Sequence, residues 1–189
     1  MQLRLSSRAL SNTLVRDILL ILAGSLVVAL AAQIAILLPF SLVPISLQTA
    51  AVALVGATLG WRRGSLALIA YIGEGLVGLP VFALGRSGIA VAIGPSGGYL
   101  VGFIIAAFAA GLLIERGWGR DPLRVLATFA IALALVYVPA LPWLANFVGL
   151  DNVIAQGLLP FIPGDLVKVV GASVAWLAGE RILSLNRRS

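Results

Sequence analysis

Along this chain long apolar runs alternate with short clusters of charged, proline and glycine residues. An α-helix needs about 20 predominantly apolar residues, within a range of about 17 to 25, to cross the hydrocarbon of a bilayer. The pattern predicts six such segments, at 18–38, 45–60, 64–81, 97–114, 123–143 and 162–185. The second is short, and Pro39 and Pro44 blur its start. The connections are short and rich in proline and glycine, which leaves no room for a domain outside the membrane. The expected fold is an all-α integral membrane protein, a single six-helix bundle over residues 1–189.

Composition strengthens that expectation. With 61% hydrophobic and 11% charged residues and a mean hydropathy of +1.11, lipid is the solvent for most of the chain. Cysteine and histidine are both absent. That closes disulfide chemistry, the usual zinc ligand sets, cysteine or histidine nucleophiles and an imidazole base. The opening "MQLRLSSRALSNTLVRD" carries three arginines but no small-residue cleavage site after a short apolar core. It reads as a cytoplasmic tail leading into a retained first helix.

Charge then orients the bundle. Thirteen Lys and Arg stand against seven Asp and Glu, a surplus that suggests nucleic acid until its placement is read. The cations lie between apolar segments, and cations in short loops stay cytoplasmic. With the N-terminus inside, Arg4, Arg8, Arg16, Arg62, Arg63, Arg116, Arg120, Arg124, Arg181, Arg187 and Arg188 all fall on the cytoplasmic side, eleven of the thirteen. Six spans return the C-terminus to the same side.

The two exceptions are informative. Arg86 falls in the outward loop after the third span, and Lys168 falls near the outward end of the sixth. With Glu74 and Asp165 they form a polar set in the outer half of the bundle. A charge at mid-membrane costs about 2.5 to 3.5 kcal/mol on insertion scales and normally faces the interior with a partner. Asp165 and Lys168, at i and i+3, share one helix face. One reading makes Asp165 a helix cap after Pro163-Gly164 and Lys168 a snorkelling side chain. The other gathers Glu74, Asp165 and Lys168 around a polar ligand; Glu74 paired structurally with Lys168 is a third arrangement. The turn "GPSGGYLVGF" at 94–103 opens a helix on Gly97, Gly98 and Tyr99, where glycines admit a ligand or a neighbouring helix. In the first span Gly24, Ala31 and Ala35 are spaced to fall on one helix face, a smooth stripe suited either to the bundle interior or to another helix.

Four segments, "VPISLQT" at 43–49, "GLPVF" at 78–82, "GPSGGYLVGF" at 94–103 and "FIPGDLVK" at 161–168, resemble in order and spacing the BioY family, the biotin-capturing S components of energy-coupling factor (ECF) transporters. The resemblance covers nearly the whole chain. It implies a six-helix S component with both termini cytoplasmic, in the bacterial cytoplasmic membrane, that binds biotin from outside and has no resident cofactor or metal. Its implied partners are a transmembrane T component and two cytoplasmic ATPase subunits, consistent with the lack here of G-x-x-x-x-G-K-[ST]. By the same resemblance Asp165 and Lys168 meet the ureido ring, with Glu74 as a further acceptor and Arg86 or the Gly97-Gly98-Tyr99 turn near the carboxylate; the reversed pose puts Lys168 on the carboxylate. The helix-one face with Ala31 and Ala35 docks the T component. A proton-coupled carrier using Glu74 and Asp165, working without ATPase partners, is the competing function. An enzyme is not expected, because no nucleophile accompanies the carboxylates.

Overall fold

The computed structural model describes residues 2–186, with side chains described over 13–182. Among these residues the chain is mostly helical: α1 (Gln2–Gln33), α2 (Gln48–Leu76), α3 (Ile89–Ile93), α4 (Gly97–Leu113), α5 (Pro122–Val148), α6 (Leu150–Gly157) and α7 (Ile162–Asn186). Two-residue strands β1 (Ala35–Ile36) and β2 (Ile45–Ser46) pair antiparallel between α1 and α2.

Helix α2 is folded back on itself. Gly60 has φ 80° and ψ 169°, a backbone region essentially reserved for glycine. In a straight helix residues 48 and 71 would stand about 34 Å apart, yet Gln48 Nε2 lies 2.8 Å from the Tyr71 hydroxyl. Likewise a Cβ on Gly64 would come within 2.7 Å of Gly56 Cα. The two arms, 48–59 and 61–76, thus run antiparallel as a tight hairpin. Beyond the hairpin the arms connect to segments at 34–47, which hold the β-ribbon, and 77–96, which hold α3.

Among the described residues, four helical segments are long and apolar enough to cross a membrane: Thr13–Gln33, Gly97–Trp118, Pro122–Val148 and Ile162–Ile182. Many of their leucines and valines point outward, Leu19 and Leu30 at 62% exposure and Val167 at 73%, a surface that lipid tolerates and water does not. The interior is built from small residues instead. Ala51, Ala53 and Ala57 of α2 are buried with Ala106, Ala107 and Ala110 of α4. A Cβ on Gly56 would strike the Ala107 carbonyl at 2.2 Å, so these backbones touch, the way helices associate where lipid removes the hydrophobic drive.

Side-chain bonds mark two ends of the bundle. At one, Arg63 pairs with Asp17 at 2.8 Å, Trp61 N–H donates to Glu115 and Trp176 Nε1 donates to the Gly119 carbonyl. At the other, Gln33 accepts from Gly85 N–H, Ser41 donates to the Gln156 carbonyl and Trp143 Nε1 to the Gly94 carbonyl. The arginines flanking the first set are those expected on one face of the membrane, and Arg86 stands at the opposite end. The side chains of Arg4 and Arg8, and all of Arg187 and Arg188, lie outside the described residues.

The helix boundaries correct the sequence reading in four places: α2 begins at Gln48, past the expected Ile45, which is strand; α5 runs on to Val148, past the expected Trp143, with Pro139 and Pro142 inside it; and the first and third spans end early. The first helix stops at Gln33, short of the expected Leu38, because the chain leaves the helix to pair Ala35–Ile36 with Ile45–Ser46 and to approach Pro39, whose ring disfavours helical backbone at the residue before it. The third span stops at Leu76, short of Val81, where Gly78 adopts φ 104° two residues before Pro80.

Candidate functional site

Under the irregular chain at the Arg86 end lies a cavity lined from α2, α4, α5, α7 and both connecting segments. Its apolar wall includes Phe82, Phe103, Val136 and Phe161, and its polar groups include Gln48, Thr49, Arg86, Ser96 and Lys168. Tyr99, Tyr137 and Phe161 stack around one side with ring centroids 5.9 to 6.4 Å apart, and Tyr71 meets Phe82 edge-on at 5.6 Å.

Lys168 and Asp165 form the expected pair, Nζ to Oδ1 at 2.9 Å, with side chains only 7% and 12% exposed. Neither cap nor snorkel is seen. The second carboxylate oxygen of Asp165 accepts a hydrogen bond from the Tyr137 hydroxyl, and Lys168 also donates to Thr49 Oγ1 at 3.1 Å. An ammonium carries three N–H donors; two are committed, and the third has no partner among the described residues. Asp165 itself does not border the cavity. It holds Lys168 and Tyr137 in place from behind.

A second network faces the same space. The Tyr71 hydroxyl spends its single hydrogen on the Val81 carbonyl at 3.1 Å, so the Gln48 atom beside it must be the donor Nε2. The Gln48 amide oxygen is thereby turned away from Tyr71, an acceptor with no partner among the described residues on a side chain that lines the cavity.

The remaining expected residues separate. Tyr99 lines the cavity with its ring and anchors its hydroxyl on the Gly157 carbonyl at 2.7 Å. Arg86 lines the cavity and is held by one bond from Nε to the Ala83 carbonyl. Gly97 and Gly98 do not line it: a Cβ on Gly98 would meet Trp143 Cβ at 2.5 Å and the Pro139 carbonyl at 2.7 Å, so its smallness serves the α4–α5 contact, and Gly97 is pressed against the Ala92 carbonyl. Glu74 does not join Asp165 and Lys168; it accepts from Ser25 of α1 at 2.5 Å. Its neighbour Gly75 seats Phe82, whose ring would lie 2.1 Å from a Cβ there.

The stripe on the first helix is divided as well. A Cβ on Gly24 would meet Leu59, Ala67 and Val55 at 2.9 to 3.1 Å, which puts Gly24 inside the bundle. Ala31 packs against the core. Ala35 is not on the helix at all, being paired with Ser46 in the β-ribbon. Sequence reasoning passed over Tyr137, Gln48 and Tyr71; a hydroxyl or amide inside an otherwise apolar span was the available signal for each.

Comparison with known proteins agrees with this architecture. The BioY family model matches residues 3–184. The biotin transporter BioY of Rhodobacter capsulatus is 41% identical over 169 residues, 82% of this chain and 88% of that protein. The biotin transporter BioY2 of Lactococcus lactis subsp. cremoris is 34% identical over 93% of this chain and 96% of its own length. A crystal structure of the S-component for biotin from an ECF-type ABC transporter superposes with a TM-score of 0.78 at 25% identity, over 90% of this chain and 93% of that one. The chain is a multi-pass membrane protein and belongs to the BioY family, a family of transporters and not of enzymes.

Proposed function

We propose that this chain captures biotin in the aromatic cavity and delivers it across the cytoplasmic membrane as the substrate-binding subunit of an ECF-type transporter. The observation that carries the reading is the complementarity of two uncommitted groups on one cavity: the third N–H of Lys168 and the amide oxygen of Gln48. A ureido ring presents one carbonyl acceptor and two N–H donors. Lys168 donates to the carbonyl and Gln48 accepts from an N–H, while the thiophane and valeryl parts lie against Tyr99, Phe103 and Phe161. Desolvating these polar groups is tolerable because each gains a partner in the complex. The ligand carboxylate points out to Arg86, whose Nη donors are uncommitted among the described residues.

The bundle crosses the membrane six times, the α2 hairpin supplying two passes, with both termini in the cytoplasm. Support comes from the segregation of arginines to the end opposite Arg86 and from the antiparallel arms about Gly60. The ATPase pair and the T component are separate chains. The lipid-facing side of α1, with Ala23 and Val27 over Thr58, offers the T component its surface. Proton-coupled carriage has less support, since Glu74 and Asp165 belong to separate hydrogen-bond networks.

Titration of the purified chain in detergent tests the assignment. One biotin should bind per chain and raise the thermal unfolding midpoint, and the absence of both effects, with another vitamin giving them, overturns it.

A further inference from the structure

A second pocket opens directly outside the first. It is bordered by Leu42 from the α1–α2 connection and by Ala90, Gly94 and Pro95 around α3. Arg86, Val91 and Ser96 border both spaces, so the two adjoin at the Arg86 side chain. The outer pocket has a volume of about 240 Å³. Apart from Arg86 and Ser96 its lining side chains are apolar or absent.

From this juxtaposition we infer that the outer pocket is a subsite for a substituent carried on the ligand's carboxylate carbon, and that the chain binds aliphatic amides of biotin as well as the free acid. The inference rests on the pose proposed above, ureido ring inward and carboxylate at Arg86. In that pose the carboxylate carbon lies at this junction, and whatever is attached to it extends into the outer pocket. An amide keeps the carbonyl oxygen, which still accepts from the guanidinium, and loses the second, charged acceptor. Arginine's fork gains most from a bidentate carboxylate, so the free acid is preferred. The amide's alkyl chain then lies against Leu42, Ala90 and Pro95, where water is displaced from apolar surface. Arg86 therefore grades acid over amide, and the outer wall sets the size of substituent accepted.

Equilibrium titrations of the full chain with biotin and with N-butyl biotinamide test this, using the parent, Ala90→Trp, Leu42→Trp and Arg86→Ala. Ala90 is exposed and Leu42 is 49% exposed, and they come from different segments of the chain, so neither indole must enter the core. The parent is expected to bind the amide more weakly than the acid by about 10- to 100-fold, the difference between a charge-assisted pair and a neutral hydrogen bond. Each tryptophan should weaken the amide by a further factor of about 10 while leaving biotin within about threefold, because overfilling acts only where atoms compete for space. Arg86→Ala should narrow the acid-to-amide ratio to near unity. The subsite is overturned if biotin binds and the amide does not, or if both tryptophans change the two ligands equally or change neither. If biotin itself fails to bind, the parent assignment falls first and the subsite with it.

Discussion

At the scale of single residues the decisive feature is that a buried ion pair is oriented from behind. Asp165 commits one oxygen to Lys168 and the other to Tyr137, so it fixes which way the ammonium points without bordering the cavity. Asp165→Asn leaves Lys168 charged and under-partnered, and breaking a buried pair in this way costs about 3 to 5 kcal/mol. Biotin binding should fall by orders of magnitude and the unfolding midpoint should drop with it. The double variant Asp165→Asn, Lys168→Met separates the two effects. With no charge left to desolvate, stability should recover, whereas binding, having lost its donor, should not. Calorimetry beside thermal unfolding reads both quantities, and a double variant that binds like the parent would remove the pair from the site. The pair itself was legible in the sequence because opposite charges at i, i+3 in an apolar run lie within reach of each other and are costly to bury apart. For Tyr137 and Gln48 a polar group in an apolar span was visible but its partner was not, since nothing in the linear order says that residue 137 reaches 165 or that 48 reaches 71. Glu74 misled for the same reason: an intramembrane carboxylate announces a partner but not its direction, and here the partner is Ser25.

At the scale of elements the sequence spoke clearly wherever hydrophobic length was decisive and poorly wherever chain ends were. Helices α4, α5 and α7 begin within a residue of expectation because Pro122 after the capping Asp121, the Gly97 turn and the Phe161-Ile162 entry are local signals. The short α3 and α6, both in the end that carries Arg86, were missed because they are set by what they cover: Tyr99 and Ser41 tie the end of α6 down through the carbonyls of Gly157 and Gln156. The α2 hairpin depends on one residue. Any side chain at Gly60 meets both an unfavourable φ and Glu115 Oε1, 2.2 Å from the Cβ it would carry. Gly60→Ala should therefore destabilise the bundle by about 1 to 3 kcal/mol, the usual magnitude of such backbone strain. Because Gly60 sits at the end away from the cavity, biotin affinity in the folded protein should be unchanged. Unfolding in detergent followed with and without saturating biotin measures both, and an affinity loss would mean that the hairpin turn is coupled to the cavity.

At the scale of the whole molecule the two ends of the bundle differ, the proposed ligand cavity at one and an arginine-rich surface at the other. The chain has no cysteine, so single introduced thiols report sidedness without background. Ser87→Cys, beside Arg86, should react in intact cells with a membrane-impermeant maleimide, and Arg120→Cys only after permeabilisation; the reverse pattern would invert the proposed topology. In the proposed transporter, coupling must be transmitted between those ends by a surface that the ligand does not occupy. The spacing of Gly24, Ala31 and Ala35 pointed to one face of the first helix, but Gly24 faces the α2 arms and Ala35 belongs to the ribbon. That ribbon places Ser46 on the cavity, so Ala35→Trp should disturb ligand binding in the isolated chain as well as uptake. Ala23 is different: it is exposed on the lipid side, in a groove that it lines together with Gly24, Val27 and Thr58. Close approach of a partner helix there requires a small residue. Ala23→Trp should therefore leave biotin binding by the purified chain unchanged while abolishing ATP-dependent uptake in cells that also express the T component and ATPases, together with co-purification of those subunits. Uptake that survives Ala23→Trp would move the docking surface off this groove, and loss of binding along with uptake would make the groove part of the fold instead of an interface.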